Sequence, residues 1–429
     1  MTALALESLW SATAPPGPQC VPLRGAQQAE VAIIGAGYTG LSAALHLAQA
    51  GRAVVVLEAC DLGAGASGLN GGQVIAGLKH DPDELEGLLG ASLGRAVIDT
   101  VSAAPDVVFD LVERFNIPCE ARRVGWIQPA VSAATLEAQN SRARQWQERG
   151  AAVEMLSRED VQRLTGTDRY CGGLLDRRGG SVQPLAYLRG LAHAALAQGT
   201  QLYSRSPATR LTRNGDTYRI ETPDGSLSAP WVIVATNAYT GALTETLRRS
   251  VVAVPSFQVA TAPLSAQLRA GILPQGQAAS DTCRLLRYFR LDASGRFVMG
   301  TRGSYTRTPT TFTVRHHYRA VRELYPQLAR VAFEYHWGGY VALTKDHLPH
   351  LHQLAPGLLA GLGYNGRGVA MATVMGRLLA RWVLGEAPGT LGFPVTPVRP
   401  MPLHAFSRLG VRVAVQYLRL ADAWTRSHS

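Results

Sequence analysis

Apolar and polar positions change period along the chain, and the changes divide it into predicted elements. Val31–Ile34 is a continuous apolar run that predicts a strand buried on both faces. Leu41, Ala44, Leu45 and Ala48 then recur at helical spacing, Gly51 stands where a left-handed C-terminal cap is expected, and residues 53–57 form a second buried strand. Residues 81–140 carry helix-spaced acidic and apolar positions, and 143–149 continue that style. From Cys171 to Pro184 the pattern is one of turns and short strands, followed by a helix over 185–197 and strands over 209–213, 217–222 and 231–235. Strand alternation dominates 251–302, with Asp292-Ala293-Ser294-Gly295 marking a hairpin. Helix returns over 315–328. A short strand at 358–362 then feeds a glycine-rich turn and a helix over 370–384. The first 28 residues, with Pro15, Pro16 and Pro18, read as an extended arm. At the other end, Leu409, Val413, Tyr417, Leu420 and Trp424 form a stripe flanked by Arg408, Arg412, Arg419 and Arg426. That spacing predicts an amphipathic helix, for which packing on the body of the protein is favoured over contact with an anionic membrane.

The stretch 31–58 has the order strand, glycine-rich turn, helix, strand, acid, and each part has a duty toward a dinucleotide. Gly35 permits the tight turn, Gly37 lets a pyrophosphate approach the backbone, and Gly40 lets the helix pack close to the sheet. The helix N-terminus offers N–H groups and a positive dipole end to phosphates. Glu58, 18 residues after Gly40, is placed to accept hydrogen bonds from a ribose. Ala36, Tyr38, Thr39 and Ala59 lie within the same turn and beside the acid. The second strand–glycine–helix junction, about 300 residues later, implies one nucleotide domain assembled from separated segments. The expected fold is α/β: a Rossmann-like domain built from residues 28–80, 170–245 and 335–400, plus an α+β substrate domain with an antiparallel sheet from 81–169 and 246–334. Residues 1–27 are the arm, and 401–429 the C-terminal amphipathic helix.

Charge changes this picture little. The formal net charge is +11, but only Lys79 and Lys345 are lysines, so 40 of the 42 positive residues are arginines, scattered along the chain. With no finger, RNA-recognition or basic-zipper pattern, nucleic acid is not an expected partner. Five scattered cysteines without a CxxC argue against a disulfide framework or zinc site and fit a cytoplasmic protein. The first 30 residues lack the basic start and apolar core of a signal peptide, and no run of 18 apolar residues occurs. His347, His350 and His352 are interrupted by Pro349 and predict a loop or strand rather than a metal site; His316 and His317 are expected on the surface.

Four motifs in order resemble the FAD-dependent D-amino-acid-oxidase-like superfamily, which includes glycine and sarcosine oxidases: GAGYTG with Glu58, GAGASGLNGGQV at 63–74, VIVATNAYTG at 232–241, and WGGYVALTKDHLPH with GLGYNGRGVAMATVMGRLLA at 337–350 and 361–380. Within it the likeness is greatest to the gamma-glutamylputrescine oxidoreductase branch. The resemblance implies non-covalent FAD and roles by position. Gly65, Ala66, Ser67, Asn70, Gly71, Gly72 and Gln73 would line the flavin and pyrophosphate. Ala208 would pass the adenine, and Ala235, Thr236 and Asn237 would lie near the phosphates and ribityl chain. Gly363, Asn365, Gly366, Gly368 and Val369 would approach the pyrimidine edge. A helix N-terminus there suits the negative charge of reduced flavin. The implied reaction is amine oxidation by hydride transfer to flavin N5, giving an imine and then an aldehyde, with O2 as oxidant. The alternative is a dehydrogenase of an amine or amino acid, passing electrons to a quinone or carrier protein.

Departures from the family pattern sharpen these expectations. Amino-acid oxidases place an arginine for the substrate carboxylate where Val341 stands, which favours an amine over an α-amino acid. Gly339 occupies the position of the flavin-linking cysteine of sarcosine-oxidase relatives. Leu69 replaces an arginine usual in the polyamine branch, and Val298 stands where oxidase relatives carry an oxygen-activating lysine. Tyr288, Arg290, Arg302, His336, Trp337 and Tyr340 are the candidates for the substrate pocket. In that reading the aromatics enclose an amine chain, and Arg290 or Arg302 holds a distal carboxylate.

Overall fold

The computed structural model describes residues 7–302, 311–413, 415 and 417. Its centre is a six-stranded sheet in the order His350–Ala355, Leu358–Leu362, Trp231–Val234, Val31–Ile34, Val54–Leu57, Gln201–Tyr203. All neighbours are parallel except the antiparallel edge pair formed by His350–Ala355. Ile33 stands beside Val56 on one side and Ile233 on the other. The continuous apolar runs are explained by cover on both faces. Val31, Ile33, Val54, Val56 and Ile233 pack on helices Tyr38–Gln49, Pro184–Ala197 and Gly368–Val383. The alternate residues Ala32, Ile34, Val55, Leu57, Val232 and Val234 pack instead on Tyr218, Ile220, Leu227 and Ala229. Those residues come from a four-stranded sheet that includes Thr217–Glu221 and Gly225–Ala229.

A larger, mostly antiparallel sheet of eight strands lies beside this unit. Its order is Phe333–Leu343, Val252–Thr261, Phe297–Arg302, Arg287–Leu291, Ala278–Ser280, Trp126–Ala130, Gly172–Asp176, Val153–Leu156. The hairpin at Asp292 is present, joining Arg287–Leu291 to Phe297–Arg302. Strand alternation gives the sheet two different faces. Phe289, Phe297 and Met299 enter a core with Val321, Leu324 and Tyr325 from helix Thr311–Leu324 and the turn after it. The opposite face, bearing Ser256, Gln258, Tyr288 and Trp337, looks toward residues 69–73.

Four expectations need correction. Gly172–Asp176 and Phe333–Leu343 fall in segments assigned to the nucleotide domain, yet both are strands of the eight-stranded sheet. Their mixed apolar pattern fits either sheet, and long-range pairing decides. The N-terminal arm is not merely extended. Leu9–Thr13 is a helix with a capping box between Ser8 and Ser11, and Leu9 and Trp10 are fully buried. Gly25–Gln28 then adds a parallel strand to Gly225–Ala229. His317 is buried rather than on the surface, its ring 5.7 Å from that of His336 and its Nε2 3.2 Å from the Phe257 carbonyl oxygen. Finally, Leu409, Val413 and Tyr417 are 59%, 62% and 69% exposed, so this part of the C-terminal stripe does not pack on the body; Val415, off the stripe, is buried. Leu420, Trp424, Arg419 and Arg426 lie outside the described residues.

Candidate active site

Backbone geometry dominates the first glycine turn. Gly35 has φ +105°, and a Cβ there would stand 3.0 Å from the Ala235 carbonyl oxygen. A Cβ on Gly40 would stand 1.9 Å from the Gly35 carbonyl oxygen, so the helix approaches the turn as closely as atoms allow. Gly37 is the N-cap of helix Tyr38–Gln49 and supplies no side-chain cap. The Glu58 carboxylate accepts from Ala36 N at 2.9 Å and from Cys60 N at 3.1 Å, with Ala59 N also bonded to it. Burial is the largest influence on Glu58 and raises its pKa, while these N–H groups pull the other way. The Glu58 carbonyl accepts from Ser206 N at 2.8 Å, which ties in the segment holding Ala208. Thr39 Oγ1 and the Tyr364 hydroxyl are 2.5 Å apart, joining the first turn to the second.

The second segment, 65–73, is a loop held by its neighbours. Gly65 caps the short helix Ala66–Leu69, and Ser67 Oγ accepts from Tyr38 N at 3.1 Å. Asn70 Nδ2 donates to the Ala66 and Ser67 carbonyls and to the Tyr38 hydroxyl, and Asn70 Oδ1 accepts from Gly72 N. Trp337 Nε1 donates to the Leu69 carbonyl at 3.1 Å and Gln258 Nε2 to the same oxygen at 2.5 Å. Trp10 Nε1 donates to the Asn70 carbonyl at 2.8 Å, and its ring meets Trp337 edge to face at 5.5 Å. Gln73 reaches into the large sheet, donating to the Ala279 carbonyl and accepting from Ser280 Oγ and Trp126 Nε1. The Tyr288 ring covers both Gly71 and Gly300, where any Cβ would overlap it, and its hydroxyl lies 2.9 Å from Ser256 Oγ. Burial pushes the Tyr288 phenol up to about 12, so it stays protonated.

The third and fourth segments meet at Asn237, whose Oδ1 accepts from Gly363 N at 2.9 Å. Ala235 N bonds the Ile34 carbonyl, and Thr236 Oγ1 lies 2.7 Å from Thr240 Oγ1. Gly363, Asn365 and Gly366 have φ of +81°, +51° and +91°, and Asn365 Oδ1 accepts from Thr344 N at 3.0 Å. Gly368 opens the helix Gly368–Val383, which contains buried Val369 and again lacks a side-chain N-cap. Arg367 turns away from that terminus: its guanidinium donates to the Ala76 carbonyl and lies over Trp126, and burial pulls it down to about 9.

These features fit a dinucleotide cofactor. Two helices point N-termini without side-chain caps at the junction, and the first turn admits phosphate because Gly37 carries no side chain. Gln258 is 1% exposed, with Oε1 unbonded beside Gly71, an acceptor facing the loop that would run along the flavin.

The candidate pocket residues divide. Tyr288 and Trp337 stand over the loop, and Tyr340 packs edge to face on Tyr239 at 5.9 Å nearby. Arg290 is buried, donates to the Val182 carbonyl at 2.9 Å and lies over the Trp10 ring at 4.9 Å. Burial pulls its pKa down to about 10, and it braces the loop rather than facing open space. His336 falls on the far face of its strand, beside His317, and is not brought to the site. The Arg302 side chain lies outside what is described. Sequence reasoning missed Trp10, Gln258 and Arg367. The signals were present: a lone tryptophan inside a capping box, and a lone amide in the apolar run 251–264.

Comparison with known proteins agrees with the geometry. Residues 30–382 match the family model described as FAD dependent oxidoreductase. The chain is 32% identical over 419 residues to a probable oxidoreductase OrdL of Rhizobium meliloti (97% of this chain, 96% of that protein). It is 32% identical over 375 residues to the gamma-glutamylputrescine oxidoreductase of Escherichia coli K12 (87% and 88%). Among solved structures, glycine oxidase from Geobacillus kaustophilus superposes with a TM-score of 0.72 at 20% identity, over 88% of this chain and 100% of that one. L-proline dehydrogenase from P. horikoshii superposes with a TM-score of 0.71 at 17% identity (86% and 96%). With a family model matched over residues 30–382 and relatives 32% identical along nearly its whole length, the chain belongs to the FAD-dependent oxidoreductase family.

Proposed function

We propose that this protein oxidises an amine of the gamma-glutamylputrescine type at carbon next to nitrogen, with FAD held non-covalently and O2 as the final oxidant. One observation carries the choice of amine over α-amino acid. Val341 stands where an arginine anchor would stand, and Arg290 is committed to the Val182 carbonyl beneath Trp10. A substrate α-carboxylate would therefore lack a bidentate partner from either residue.

When bound, FAD supplies the two-electron chemistry. The chain's own residues orient and desolvate. Trp337, Gln258 and Trp10 fix the loop carbonyls at 69 and 70. Tyr288, protonated and tied to Ser256, closes the sheet side of that loop. Aromatic walls that exclude water favour a neutral amine, the form that can lose hydride, so no protein base is required. Gly339 offers no thiol for a covalent link. The test is anaerobic mixing of the FAD-loaded protein with gamma-glutamylputrescine; bleaching of the flavin spectrum is expected, and a spectrum unchanged by this and related amines overturns the reading.

The dehydrogenase reading draws on Val298, a buried apolar residue where a lysine would assist oxygen. Hydrogen peroxide formed in equal amount with aldehyde decides for the oxidase; bleached flavin that air reoxidises slowly, but a quinone rapidly, decides for the dehydrogenase.

A further inference from the structure

The C-terminal segment carries an apolar face that the rest of the chain leaves exposed. Five of the nine exposed large apolar side chains among the described residues, Leu403, Phe406, Leu409, Val413 and Tyr417, fall within 403–417. Single apolar residues are ordinary on a surface, but a contiguous set marks a contact. Helix runs over 407–413, and residues 415 and 417 are helical as well. At 3.6 residues per turn Leu409, Val413 and Tyr417 share one face, and Phe406 continues it in the preceding turn His404–Phe406. Buried Val415 and half-buried Val411 lie on the opposite face, so the side turned inward is not the stripe.

The root of this helix is fixed. Met401 N donates to the Arg249 carbonyl at 2.8 Å, and His404 Nε2 lies 2.9 Å from the Val251 carbonyl oxygen, next to strand Val252–Thr261 of the large sheet. Between these two bonds Leu403 is held at φ +55°, a left-handed conformation that glycine or asparagine adopts with less strain, and its side chain is 75% exposed. Packing within the fold does not call for a leucine there.

The charge around the stripe has one sign. No Asp or Glu occurs over 387–421, where Arg399, Arg408, Arg412 and Arg419 occur. Arg399 and Arg408 are exposed and make no ion pair among the described residues. Glu245, the acid near His404, is held by Arg248, whose Nε donates to it at 2.7 Å. An apolar stripe beside unpaired cations is matched by a layer that offers acyl chains and negative headgroups together. A second copy of the chain would instead bring the same acid-free segment and a net charge of +11 to this face.

We propose that the stripe over 403–417 docks the protein on an anionic lipid bilayer. Phe406, Leu409, Val413 and Tyr417 enter the boundary between headgroups and acyl chains, and Arg399 and Arg408 engage headgroup phosphates. Among the described residues no helix is long and apolar enough to cross a membrane, so the contact lies in the interface plane and is reversible. The inference stands apart from the choice of substrate or oxidant. It replaces the expectation that this stripe packs on the body, which its exposure removes.

The test is co-sedimentation of the full-length, FAD-loaded chain with vesicles of phosphatidylcholine alone or with about one third phosphatidylglycerol. The wild type is expected to bind the anionic vesicles at least tenfold more tightly than the neutral ones, and several-fold less tightly when salt is raised. The double variant Leu409→Ser, Val413→Ser should lose at least tenfold in binding to the anionic vesicles while keeping its flavin absorbance and urea midpoint, since both side chains are exposed. Arg399→Glu with Arg408→Glu should lose at least fivefold on the same vesicles. A wild type that stays in the supernatant, equal binding to both vesicle types, or a serine variant that binds as the wild type does, each overturns the proposal. A dimer found by sedimentation velocity without lipid, and abolished by the serine pair, would assign the face to a second copy and overturn it as well.

Discussion

At the first glycine turn a methyl group on Gly40 would stand 1.9 Å from the Gly35 carbonyl oxygen; at the second, one on Gly363 would stand 2.3 Å from Thr344 Cγ2. The first obstacle is backbone, the second the tip of a side chain. Each turn opens a helix that lacks a side-chain N-cap, yet one is closed by main chain and the other padded by residues drawn from elsewhere. A turn closed by backbone tolerates no repair, whereas a padded turn can be rescued from its neighbour.

The largest expected effect follows directly. Gly40→Ala should cost about 3 kcal/mol or more, since no neighbouring side chain can yield, and the protein should purify without flavin; urea midpoint and the 450 nm absorbance report both. Gly363→Ala should cost about 2 kcal/mol, part overlap and part the strain of φ +81°. Adding Thr344→Ser removes Cγ2 and keeps the hydroxyl bonded to Leu348, and should recover about half of that loss. A double-mutant cycle that finds the two changes additive would erase the distinction between the turns. Glu58→Gln keeps one acceptor but sets an amide N–H against a backbone N–H, and FAD affinity should fall about tenfold, or about 1.4 kcal/mol, in a fluorescence titration. Trp10→Phe leaves the Asn70 carbonyl without its donor and should cost about 1 kcal/mol in a urea melt.

Beyond the turns, the surrounding scaffold carries a pH dependence. Burial, reinforced by His317, holds His336 at about 4, and burial likewise holds His352 at about 4. Both remain neutral in the folded chain while unfolded histidines protonate near 6.5. The unfolded state then binds more protons between pH 6.5 and about 4, so stability should fall as pH drops through that window and be indifferent to pH above it. His336→Asn should flatten the slope between pH 7.5 and 5; an unchanged slope would remove His336 as its source.

What could be read from the residues follows the same division. The turn at Gly35 and the close approach at Gly40 were legible because both are local, set by a few consecutive residues. The loop at 65–73 is different. Its braces come from residues 10, 258, 288 and 337, and no periodicity within 65–73 points to them. His336 and Trp337 are adjacent in sequence and face opposite ways, so a motif containing both could not say which side meets the cofactor. The arm was misread because its prolines follow the buried helix; the helix itself rests on one capping box and one tryptophan. The apolar stripe at the C-terminus gave the correct period but no information about what covers it.

The strand Val31–Ile34 has a history as well as a position. It is made early, but its neighbour Trp231–Val234 lies 200 residues further on, and the strand beyond that, Leu358–Leu362, further still. At bacterial or eukaryotic rates of synthesis, about 5–20 residues per second, the interval between the first two lasts roughly 10–40 s. Throughout that time this strand has Val54–Leu57 on one side and an unsatisfied edge on the other. For that interval the nascent chain carries its first glycine turn beside a half-paired central strand, and the second turn, which follows Leu358–Leu362, is made later still.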